Sequence, residues 1–169
     1  MRRALAIALI LFAGLCPRLH AADPQLPKIE LDADNVTGRP LEELTKQAIV
    51  RDYAKAWKTL AAAMEQNRAD LIDADFVGIA EEKLVAGVKQ QAKAGLHTRY
   101  IDRGHKVDVL FYSPEGLSIQ LRDTASLERQ VLDGDKVLFT EAVTAHYVSL
   151  MSPTEVRWKV RLLQEIPNQ

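Results

Sequence analysis

Two side chains in this sequence have the types and the spacing for acid–base chemistry, Asp123 and His146. A carboxylate that orients an imidazole is the arrangement of a general base. The "DGD" at 133–135 reads as a turn between two strands. With a two-residue Gly-Asp loop, Asp123 and His146 fall opposite each other. With a three-residue loop, Asp123 faces Ala145 instead. The competing reading is a polar cross-strand pair at the rim of a sheet. The other histidines after the N-terminal region, His97 and His105, have no i, i+4 partner that would put two ligands on one helix face. No cysteine helps them, so no metal centre is expected. "LDADN" at 31–35 has the carboxylates of a calcium loop but lacks its central glycine and its distal glutamate. There is no G-x-S-x-G, P-loop or G-x-G-x-x-G, so the sequence fixes neither a reaction nor a cofactor.

The aromatic residues form a second group. Tyr53, Trp57, Phe111, Tyr147 and Trp158 are expected on inward faces, where they would line a pocket for a small apolar ligand or close up as core. Trp158 is expected to be the most buried residue of its strand.

These side chains need elements to position them. Ile49, Tyr53, Trp57, Leu60 and Met64 repeat at four, four, three and four, one stripe of a helix over 41–66. "ADLIDADFVG" (69–78) reads as one or two helical turns. "AEEKLVAGVKQQAKAG" (80–95) reads as a further helix, with Glu81 and Glu82 in its first turn and Lys93 in its last, as the helix dipole favours. The segment 96–104 reads as a connection that can itself pair as a strand. From His105 to Gln164 the chain is a meander of antiparallel strands, broken at "PEG" (114–116), "DGD" (133–135) and "SPT" (152–154). Val107, Val109 and Phe111 are expected on one face, and Val156, Trp158, Val160 and Leu162 on the core face of the last strand. The third long strand changes phase: Val137 and Phe139 are odd-numbered, Val148 and Leu150 even. A β-bulge between Phe139 and Ala145 would reconcile them and curve the sheet around the first helix.

Ahead of these elements, Arg2 and Arg3 precede the apolar run "ALAIALILFAGL" (4–15) and the small-residue site "LHAAD". The run is short for a bilayer span and has the layout of a signal peptide over 1–22. Leu15 before Cys16 disfavours lipidation. Cleavage would remove the only cysteine and take the formal charge from −1 to −4. A mildly acidic chain with no basic cluster is not a nucleic-acid binder. Residues 23–40, with three prolines, read as a linker or extended arm, or as a strand added at a sheet edge. The single α+β domain spans 41–165.

Helices followed by a curved meander ending in "RWKV" (157–160) resemble the nuclear-transport-factor-2-like (NTF2-like) superfamily, a cone-shaped α+β fold. The chain looks most like its long-hairpin members in organelle-division and membrane-associated bacterial proteins, which implies a binding module. The isomerases and dehydratases of that superfamily place Tyr, Asp and His in the cone. Tyr53, Tyr147, Asp123 and His146 are the occupants this would imply, though no motif fixes the match.

The reading is therefore an exported, periplasmic or secreted, non-catalytic module. It would bind a partner protein or a small apolar ligand in the cone, or pair as a homodimer through the open sheet face. The alternative is an isomerase-, dehydratase- or hydrolase-like enzyme using Asp123 and His146. The export reading predicts a mature protein beginning at Ala22 or Asp23. Intact-mass measurement checks it, and a mass retaining residues 1–21 contradicts it.

Overall fold

A computed structural model describes residues 25–167. The signal-peptide reading of 1–22 therefore lies outside the described residues. The elements run β1 (Ile29–Asp32), β2 (Thr37–Gly38), α1 (Glu43–Gln66), a 3-10 turn (Ala69–Ala74), α2 (Ile79–Lys93), β3 (Leu96–Tyr112), β4 (Ile119–Asp133), β5 (Lys136–Pro153) and β6 (Trp158–Ile166). They form a helical layer on one face of a six-stranded sheet ordered β1-β3-β4-β5-β6, with β2 also on β3. β3 to β6 are antiparallel. β1 and β2 pair with β3 in parallel, so the N-terminal arm adds a sheet edge. No described helix is long and apolar enough to cross a membrane.

The helix stripe meets the sheet as its spacing requires: Ile49, Tyr53, Trp57 and Leu60 are buried in one cluster with Val107, Leu121 and Val160. Such a stripe, not intrinsic propensity, is what stabilises a helix in a folded chain. α1 stops at Asn67, whose left-handed backbone (φ 53°) lets its N–H reach the Ala63 carbonyl. Asp52 and Asp75 hold the last strand against the helices. Asp52 accepts the Trp158 backbone N–H at 2.9 Å. Asp75 bonds Thr59 at 2.6 Å and the Arg157 guanidinium at 3.0 Å.

Four extra residues set which side chains face the helices, because each one-residue slip exchanges the faces of the strand beyond it. In β3, Arg103 and Leu110 have no partner in the β4 register. The break at Leu110 puts Phe111 opposite the outward Gln120 and gives the inward place to Tyr112, contrary to the expected Val107-Val109-Phe111 face. In β5 the extra residue is Leu138, one position before the expected span. From Phe139 to Met151 the strand then keeps one phase, so Val148 and Leu150 do not share the core face. In β6 the extra residue is Arg161. Leu163, not Leu162, packs on the core, and Val156 lies in the preceding turn, 80% exposed. Val160 is fully buried and Trp158 is 9% exposed, so Val160 rather than Trp158 is the most buried residue of the strand. Val160 sits between strands: its N–H and C=O also bond the Asp75 carbonyl and the Val77 N–H at 2.9 Å each.

Candidate functional site

The hairpin closes with the two-residue Gly134-Asp135 loop, Asp133 opposite Lys136, but the extra Leu138 then shifts every later pair by one. Asp123 is therefore opposite Tyr147, and His146 is opposite Thr124. The expected Asp123–His146 pair does not form. His146 lies on the outer face, its Nδ1 3.1 Å from the Thr124 hydroxyl.

Asp123 points inward, fully buried, and finds a different histidine. Its Oδ2 is 2.8 Å from His105 Nδ1 and accepts the Tyr53 hydroxyl at 2.9 Å. His105 Nε2 is 2.7 Å from Asp102 Oδ2. The Asp102 side chain reaches this place because Arg103 is extra in the strand and Gly104 sits at φ 125°; its Oδ1 accepts the Gly104 N–H at 2.8 Å. Helix α1 thus supplies a phenol, β3 an imidazole and a half-buried carboxylate, and β4 a buried carboxylate.

With a carboxylate on each ring nitrogen, both nitrogens donate and the ring is an imidazolium. Burial works against that charge, but the hydrogen bonds and negative charges of Asp102 and Asp123 outweigh it and raise the His105 pKa to about 9. Burial, then the charge of Asp123, pushes the Tyr53 phenol well above its ordinary range. Burial, then Glu165, pushes the Tyr147 phenol up likewise. At neutral pH His105 and the two phenols therefore keep their protons. Removing one partner of such a buried charge pair costs about 3–5 kcal/mol, so the cluster also fastens helix to sheet.

Aromatic rings wrap it. Trp57 lies 4.7 Å from the His105 ring and 5.2 Å from Tyr147, centroid to centroid. Trp57 Nε1 and Ser149 Oγ approach the Tyr53 hydroxyl without hydrogen-bond geometry, and Asp123 Oδ1 has no protein partner. Of the five residues expected to line a pocket, Tyr53, Trp57 and Tyr147 come together here. Trp158 packs at a distance with Tyr112, centroids 6.3 Å apart, and Phe111 is on the other face. Among the described residues no group of three or more His, Cys, Asp or Glu is placed to hold a metal ion.

Two hollows among the described residues touch members of the cluster. One of about 360 Å³ has His105 in its lining together with Lys28, Glu30 and Thr124, although the His105 side chain itself is not exposed there. The other, a groove of about 290 Å³, runs between α1 and the sheet; Trp57, Ala61, Ala62, Tyr100 and Leu127 give it apolar surface, Lys58, Glu65, Gln66 and Asp102 give it polar surface, and Gln25 and Pro27 of the arm complete it. Only the Asp102 edge of the charge cluster borders it; that side chain is 24% exposed, while His105 and Asp123 are closed.

No protein-family model matches the sequence, and no curated protein matches it. Solved structures do. The intermembrane space region of the chloroplast protein ARC6 superposes with a TM-score of 0.65 at 16% identity, over 73% of this chain and 96% of that one. A candidate dehydratase of the NTF2-like family from Streptomyces avermitilis superposes with a TM-score of 0.50 at 11% identity, over 72% of this chain and 97% of that one. The fold is NTF2-like. At these identities the likeness carries the fold alone. His105 and Asp102, absent from the sequence-based candidates, complete the site in this NTF2-like chain. The signal was present: His105 is in phase with Val107 and Val109, and Asp123 with Leu121 and Ile119.

The raised His105 pKa fixes a pH dependence. The folded value, about 9, lies above the ordinary 6.5, so the contribution is complete below about pH 6.5 and is lost as pH rises through about 9. The urea midpoint is expected to fall across that window. His105→Gln should lower the midpoint at pH 6 and remove the fall. A wild-type midpoint flat from pH 6 to 9.5 would contradict the imidazolium.

Proposed function

We propose that this chain is an exported, non-catalytic binding module of the NTF2-like fold, and that it holds a small, largely apolar ligand in the groove at the mouth of the cone. The observation that carries this is the division between what is sealed and what is open. Asp123 is fully buried and His105 is 2% exposed, so a substrate in solution cannot come within hydrogen-bond reach of the pair, as acid–base catalysis requires. The groove beside them is lined by an indole, a phenol, a leucine and two alanine methyls, and also by Lys58, Glu65, Gln66 and Asp102, so apolar walls stand beside polar groups that can orient a ligand. Asp102, already bonded through both oxygens, keeps lone pairs for a hydroxyl or amine on the ligand.

The enzyme alternative has one observation in its favour. Tyr53, Asp123 and His105 are a hydroxyl, a carboxylate and an imidazole in contact. Their closure and their retained protons oppose it.

The test uses N-phenyl-1-naphthylamine as an apolar fluorescent probe. Saturable binding with loss of Trp57 emission is expected. Ala62→Phe, which fills the groove from an incompletely buried position, should weaken binding at least tenfold at unchanged thermal stability. Equal binding by wild type and variant would contradict the site.

A further inference from the structure

β5 is paired on both sides over only half its length. Its last contact with β6 is His146 opposite Ile166, and Pro167 follows, which has no N–H to continue a ladder. From Lys136 to Ala145 the other side of β5 has no strand partner among the described residues. The same stretch carries Val137, Leu138 and Phe139, which are 44, 50 and 50% exposed. A long apolar strand edge is a template for a further strand. The outer sheet face, where a face-to-face dimer would need an apolar patch, presents Lys106, Asp108, Arg122 and Ser126 to solvent instead.

We propose that a second copy of this chain occupies that edge, β5 pairing antiparallel with β5 of its partner about a twofold axis near Ala142, to give one continuous sheet. This goes beyond the ligand-binding reading and does not depend on it. The edge is self-complementary in this arrangement. Its bulky end meets its small end, because Phe139 falls opposite Ala145. Thr140 falls opposite Thr144, a favourable hydroxyl pair across strands. Glu141 falls opposite Val143, so the two carboxylates do not confront each other, and each already has its own Arg129 as an ion-pair partner. Paired residues stay on like faces, inward with inward, so the curvature continues across the junction. The pairing is isologous and uses this edge once, so it closes at two copies.

Sedimentation equilibrium on the purified protein tests it, together with hydrogen exchange at residues 139–145. The expected result is a species of twice the chain mass with slowed exchange across that stretch. Ala142→Arg, which brings two cations together at the axis from an exposed position, should raise the dissociation constant at least tenfold and restore fast exchange with the circular dichroism unchanged. Phe139→Glu, also exposed, should do the same. A monomer at every concentration overturns the proposal. So does a dimer that survives both substitutions, or an assembly larger than two.

Discussion

The Asp123 carboxylate is the point at which the two layers of this protein are joined. Its Oδ2 takes hydrogen bonds from a helix phenol and a strand imidazole, so α1, β3 and β4 meet at one atom. An isolated carboxylate at zero exposure would be expensive to bury, and the imidazolium between Asp123 and Asp102 makes it tolerable. The reverse holds too: His105 keeps its proton only because both acids are in place. The geometry of the cone follows from this. Tyr53 and Trp57 enter the sheet's concavity from one helix face, and the rings of Trp57, His105 and Tyr147 close over the charge.

That closure separates the chemistry the residues have from the chemistry they can do. A phenol, a carboxylate and an imidazole are enough for proton transfer, but each proton here is held by a partner within the protein, and the surrounding rings exclude a substrate. What remains open is a groove whose walls mix apolar side chains with Lys58, Glu65 and Gln66, and which borders the charge cluster at Asp102. Sealed polar clusters of this kind fix a unique packing of helix on sheet, and a rigid wall benefits a binding groove as much as it does an active site.

Much of the architecture was legible in the sequence: the helical stripe from Ile49 to Met64, the meander with its turns at 114–116 and 133–135, and the curvature. The turn expected at 152–154 falls later, because Ser152 and Pro153 still pair with Lys159 and Trp158. The register was not legible. Arg103, Leu110, Leu138 and Arg161 are each one residue too many in their strands, and nothing in their side chains marks them. Leu138 alone moved the partner of Asp123 from His146 to Tyr147. The arm gave no helical period, and only pairing with β3 shows that Ile29 and Leu31 belong to the core. His105 could have been found by carrying the alternation of Val107 and Val109 two residues back. The segment 96–104 reads as a connection that can itself pair as a strand, and nothing in it marks the bulge at Arg103 that brings Asp102 to His105.

The central claim is that His105 belongs to a closed structural cluster and not to a reactive site, and chemical modification of the native protein tests it most directly. Diethyl pyrocarbonate attacks accessible, unprotonated imidazoles; at pH 7, with modified residues read by peptide mass spectrometry, His97 and His146 should react and His105 should stay unmodified until the protein is unfolded in urea. Modification of His105 in the folded protein at a rate equal to or above that of His146 would contradict the account.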